Sequence, residues 1–159
     1  MGLLQRGNYM FFLKELPTRE ILENYHQKFP EMNMNAVQEA LKLMHKACFL
    51  IRELDGYFAS HDFSQLRFTI TMVIDREPNT DSLTPGEITR KVGVSKPVMT
   101  RALKSLAKEG YAVIESHETD KRAKQVTLTD KGTKKLESIL PGYYDLVERF
   151  MSKEDNYDD

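Results

Sequence analysis

Apolar positions recur along this chain in more than one rhythm, and each change of rhythm marks a change of element. Between Asn33 and Ser60, Ala36, Ala40, Leu43, Ala47, Leu50, Leu54 and Tyr57 step by alternating fours and threes. Val37, Leu41, Met44, Cys48, Ile51 and Phe58 widen that stripe. Such steps stay on one face of an α-helix. A stripe this broad predicts a helix buried on two sides, by its own domain and by a second chain. A long core helix of a monomer shows the same pattern; the shortness of the chain favours the dimer. Ahead of it, Thr18 is placed to cap a short helix ended by Pro30. Tyr9, Phe11, Phe12 and Leu13, within Met1–Leu16, either pack on a partner subunit or fray as a terminus. Ser64–Glu77 reads as a further helix, with Leu66, Ile70, Val73 and Ile74 on one face and Pro78-Asn79-Thr80-Asp81 as its break.

Leu83 to Gly132 is the most informative stretch. Thr84-Pro85-Gly86-Glu87 combines a capping hydroxyl, a proline at the first helical position and a glutamate that can bond back to the cap. The short helix it opens ends at Gly93, and Ser95 is placed to cap the next, which runs to Gly110. At 100° per residue, Met99, Ala102, Leu103 and Leu106 fall on one face of that second helix. Pro97, Thr100, Arg101, Lys104 and Lys108 fall on the other. Two helices joined by a short glycine-containing turn form a helix-turn-helix, although any crossed helix pair shares the outline. A helix apolar behind and basic in front suits a major groove. Lys and Arg can pair with phosphate or guanine, and Thr can reach a base edge or a thymine methyl.

After Gly110 the period shortens toward two. Tyr111–Ile114 and Val126–Thr129 favour strands, and Glu115–Gln125 between them is polar. A hairpin appended to a helix-turn-helix is a winged helix. At its tip, Arg122 is a candidate for a narrow minor groove, Lys121 and Lys124 for phosphates, and Asp120 for holding Arg122 or the turn in place. Thr129-Asp130 caps a last helical region, which Pro141-Gly142 should kink or split. The acidic tail SKEDNYDD has the composition of a disordered segment.

Charge sharpens this picture. The net charge is −1, but from Pro85 to Lys131 ten Lys and Arg stand against six Asp and Glu, a local balance of +4. From Asp145 to Asp159 six acids face two bases. Salt confines electrostatics to short range, so a basic module inside a neutral protein is a nucleic-acid footprint. One cysteine among 159 residues excludes an intramolecular disulfide and cysteine-rich zinc sites, and fits a reducing cytoplasm. No run approaches the roughly 20 apolar residues a membrane helix needs.

The wing residues bear a resemblance. Gly110, and then Asp120-Lys121-Arg122-Ala123-Lys124-Gln125-Val126-Thr127-Leu128-Thr129-Asp130-Lys131-Gly132, resemble the D-R-R-x-x-x-V-x-L-T-x-x-G wing of MarR/SlyA-type transcriptional regulators. Val94–Leu106 resembles that family's recognition helix, and the likeness extends over roughly 36–151. It implies a homodimer, with first and last helices of both chains forming the dimerisation part and two winged lobes reading a pseudo-palindromic operator. It aligns Ser95, Pro97, Thr100 and Arg101 with groove-facing positions and Arg122 with the wing-tip arginine. Many members carry an arginine where this chain has Ile114, so the wing base is anchored more weakly or differently here. The resemblance also implies an effector, a small aromatic or phenolic anion, for which Tyr25, His45, Tyr57, His61 and Arg67 are suitable residue types.

Other chemistries fare worse. Cys48 is a candidate redox switch, but lies mid-helix on an apolar stripe, where cysteine behaves as a small hydrophobe. His26, His45, His61 and His117 have no metal-ligand spacing, and no phosphate loop, dinucleotide turn or nucleophile elbow occurs. The chain therefore reads as mainly α with a small β-hairpin wing and as no enzyme. The expected parts are a helical dimerisation region over 1–62, a winged helix-turn-helix over 63–132, and dimerisation helices with an acidic tail over 133–159. Ser95, Lys96, Pro97, Thr100, Arg101, Lys104, Lys121, Arg122 and Lys124 are the candidate DNA contacts. The expected protein is a cytoplasmic, ligand-responsive repressor without a cofactor or metal. A winged-helix adaptor for other proteins and a redox-responsive regulator using Cys48 are the alternatives.

Overall fold

A computed structural model describes residues 15–78, 80–116 and 124–153. Six helices and three strands follow in the order α1 (Arg19–Lys28), α2 (Met34–Ser60), α3 (Gln65–Asp75), β1 (Ser82–Leu83), α4 (Pro85–Val92), α5 (Lys96–Lys108), β2 (Ala112–Ser116), β3 (Lys124–Leu128) and α6 (Asp130–Ser152). Tyr9, Phe11, Phe12, Leu13, His117, Asp120, Lys121 and Arg122 lie outside the described residues, as does most of the acidic tail.

The caps explain the boundaries. Thr18 accepts from the Ile21 N–H, Asn33 from Ala36, and Ser64 from Arg67, so three helices begin where a short polar side chain satisfies a first-turn donor. Thr84 and Glu87 form the full reciprocal capping box. Those bonds from Thr84 hold the Glu87 carboxyl below its usual value. Ser95 has extended cap geometry, yet its side chain makes no capping hydrogen bond. Gly93 and Gly110 adopt φ of +77° and +78°, which end α4 and follow α5.

The described residues form two compact units, one drawn from 1–53 and 149–159, the other spanning 54–148. In the first, α1 buries Leu22 while Ile21, Tyr25 and Phe29 stay exposed. Along the first half of α2, His45 and Cys48 are buried, but Ala36, Ala40, Leu43 and Ala47 are exposed, Leu43 at 70%. The 4-3 stripe is thus uncovered where it begins.

The second unit is closed around its own core. Phe58, Ile70, Ile88, Met99, Leu106, Val126, Leu136 and Ile139 are essentially inaccessible. Its sheet is antiparallel in the order β1-β3-β2, with Ala112 opposite Leu128, Ile114 opposite Val126, and Leu83 opposite Val126 on the other side. β1 is an addition to the expected hairpin; a two-residue strand is too short to show a period. Of the kink or split expected at Pro141, the split does not occur: α6 is continuous. The Tyr57 hydroxyl donates to the Ile139 carbonyl at 2.6 Å and takes a hydrogen bond from the Tyr143 N–H. The phenol is thereby inserted between the Ile139 carbonyl and the Tyr143 N–H, beside the proline. Gly142 makes room for it, since a Cβ there would stand 2.5 Å from the Tyr57 oxygen. Burial raises the Tyr57 pKa, with the Tyr143 bond opposing.

Candidate nucleic-acid interface

Helix α5 is two-faced as its sequence predicts. Met99, Ala102, Leu103 and Leu106 are buried, at most 8% exposed. Ser95, Lys96, Pro97, Thr100, Arg101, Lys104 and Lys108 are all exposed. From Lys96 to Lys108 there is no acidic residue. Lys96, Arg101 and Lys104 make no ion pair among the described residues, so their charge stays available to a partner. Lys124 is exposed at the first position of β3, opposite Ser116.

The root of the wing is tied together by Thr129. Its hydroxyl donates to the Gly110 carbonyl at 2.6 Å and accepts from the Gly132 N–H at 3.0 Å, while its own N–H donates to the Tyr111 carbonyl. One side chain therefore caps α6 and clasps the joint between α5 and β2. Gly132 is required by close approach: a Cβ there would lie 2.0 Å from the Tyr111 carbonyl oxygen. Ile114 is half-buried and pairs with Val126, contributing packing where an arginine would contribute charge.

Cations gather at that root. Arg67 Nη2 donates to Glu109 Oε2 at 2.6 Å, and Lys131 Nζ to the Glu109 carbonyl at 2.6 Å. Lys135 Nζ donates to the His61 carbonyl. The Tyr111 ring carries Lys131 Nζ at 4.9 Å from its centroid and the Arg67 guanidinium at 5.7 Å. Glu109, Tyr111, Lys131 and Lys135 are not singled out as site residues by pattern; Thr129 is legible as a helix cap, and Gly132 only through the wing motif.

The five candidate effector residues are divided between the units. Tyr25 is exposed on α1, and His45 is buried with its ring 4.7 Å from that of Phe49. In the second unit Tyr57 and His61 are ring neighbours at 4.5 Å, and His61 Nδ1 lies 2.9 Å from the Tyr57 carbonyl. Arg67 is engaged by Glu109 and lies over Phe63. Cys48 is buried. Among the described residues no group of three or more His, Cys, Asp or Glu could hold a metal ion, and no helix is long and apolar enough to cross a membrane.

Comparison with known proteins agrees with this geometry. The MarR family model matches residues 61–123. An HTH-type transcriptional repressor, YetL of Bacillus subtilis (strain 168), is 26% identical over 147 residues, covering 92% of this chain and 86% of that protein. A MarR-like transcription regulator of Bacillus cereus ATCC 10987 superposes with a TM-score of 0.67 at 19% identity, over 78% of this chain and 87% of its own. A cysteine-to-serine mutant of E. coli MarR, solved in complex with operator DNA, gives a TM-score of 0.61 at 24% identity, over 76% and 85%.

Proposed function

We propose that this chain, a MarR-family protein whose winged helix-turn-helix is matched over 61–123, is a sequence-specific DNA-binding transcriptional regulator that acts as a homodimer on a pseudo-palindromic operator. The observation that carries this reading is the two-faced α5. Four apolar side chains root it in the core, and Thr100, Arg101 and Lys104 stand exposed with no acid between them. Ser95, Lys96, Pro97, Thr100 and Arg101 meet base edges and nearby phosphates, and Lys104 a phosphate. Lys121, Arg122 and Lys124 serve the wing, with Asp120 as support.

Two copies supply two such helices. Symmetric half-sites about one helical turn, roughly 34 Å, apart are the matching DNA geometry. The exposed start of the α2 stripe, Ile21 and Tyr25 of α1, and Phe29 at its C-cap support self-association, because water-facing apolar rows of this length are what a second copy covers. The protein works by binding, not by a reaction: it occupies a cytoplasmic promoter and represses it. A small aromatic or phenolic anion would release DNA by favouring a conformation of lower DNA affinity, with no resident cofactor. Burial of Cys48 disfavours the redox alternative, since a reactive thiol needs access.

Fluorescence anisotropy on a duplex from the protein's own promoter, against a scrambled duplex at two salt concentrations, tests the reading. Selective, salt-sensitive binding lost in Arg101→Ala supports it. Equal affinity for both duplexes by a confirmed dimer, also after unfolding and refolding to strip any bound effector, would overturn it.

A further inference from the structure

We infer that Arg67 and Glu109 are positioning residues for DNA recognition: their ion pair fixes the end of α5 and the entry to the wing against α3. The inference rests on the proposed function and assigns neither residue to DNA.

Glu109 sits at the joint, capping α5 three residues before β2 begins at Ala112. It is held from three elements. Arg67 of α3 donates to its carboxylate at 2.6 Å, Lys131 of α6 donates to its carbonyl at 2.6 Å, and Ser105 of α5 donates to its other carboxylate oxygen at 3.3 Å. The hydrogen bond from Arg67 is the main cause holding the Glu109 carboxyl below its usual value; burial opposes it.

Arg67 is committed to this place. Its side chain is 14% exposed, and the guanidinium lies over Phe63 at 4.6 Å and Tyr111 at 5.7 Å. Its Nε is buried without a hydrogen-bond partner. A cation that has given up this much water depends on its counter-charge, so loss of either partner disturbs the other. The burial of Arg67 separates it from the cation of an ordinary surface ion pair, while the Glu109 side chain is 41% exposed.

The sign of the charge discriminates positioning from direct electrostatics. Glu109 is an anion next to a basic helix, so a purely electrostatic account makes its removal tighten binding to every DNA sequence. Positioning makes its removal weaken the operator alone, because the phosphate contacts remain while base-reading side chains lose their register.

The test uses the full-length chain in anisotropy titrations on promoter and scrambled duplexes at two salt concentrations. Glu109→Gln and Arg67→Met should each lose about tenfold in promoter affinity, as expected for residues coupled in one network. Scrambled-duplex affinity should hold within about twofold, with the salt slope unchanged. The double variant should lose no more than the worse single, and Glu109→Asp, which keeps the charge, should recover discrimination. Should Arg67→Met melt below the assay temperature, Glu109→Gln and Glu109→Asp carry the test alone. Parallel changes on both duplexes, or tighter binding of both by Glu109→Gln, would overturn the positioning role. Absence of promoter preference in the unaltered protein would overturn the functional reading, and the role with it.

Discussion

Helix α5 and the first half of α2 are both amphipathic, both well formed, and opposite in what they leave to solvent. The outward face of α5 is polar and basic over a buried apolar face. The outward face of early α2 is itself apolar, with Leu43 at 70% and Met44 at 44% exposure. A helix of the first kind is complete in one chain, and its exposed side is free to meet a polyanion. The second kind is unfinished, because among the described residues nothing covers its apolar stripe along that stretch. Charge against apolar surface thus assigns the two faces to two different partners.

The largest expected effect comes from spoiling the unfinished face. Leu43→Glu places a carboxylate where a partner would bury a side chain and should weaken self-association by about 3 kcal/mol, more than a hundredfold. Light scattering across a dilution series checks this, and an unchanged dimer would remove α2 from the interface. Arg101→Ala comes next, with a loss of about 1–3 kcal/mol in promoter affinity if Arg101 reads a base. Oligomeric state should be untouched, which sharpens the separation of the two faces. Lys104→Ala should weaken all sequences alike and reduce the salt slope by about one unit.

The smallest effect is on stability against pH. The folded Glu109 pKa is lowered from 4.5, so the folded state binds this proton less readily than the unfolded one. Its stabilising contribution is complete above about 4.5 and fades as pH falls through the lowered folded value. Thermal melts of Glu109→Gln should converge on those of the unaltered chain at the acid end and fall below them near neutrality. Parallel curves would show that the ion pair contributes nothing to folding.

Much of this was legible because it was local. Caps at Thr18 and Thr84 need only a hydroxyl and the next turn, and the Met99–Leu106 face follows from 3.6 residues per turn. What pattern could not reach was contact across long separations. Arg67 and Glu109 are 42 residues apart, and nothing near either predicts the other. Arg67 is a residue type suited to the anionic effector that the resemblance implies; the anion it meets within the chain is the Glu109 carboxylate. Pro141 suggests a kink or a split from its missing donor alone, and the Tyr57 hydroxyl that bonds the Ile139 carbonyl comes from 82 residues earlier.

The inserted phenol gives α6 a property of its own. Where backbone bonds alone hold a helix, an amide exchanges with solvent when its own segment frays. The Tyr143 amide is bonded to a phenol from α2, so its exchange rate answers to the departure of that ring as well as to the opening of its own turn. A single amide in the C-terminal helix thereby registers whether α2 is in place, a native-state timer that needs no added probe.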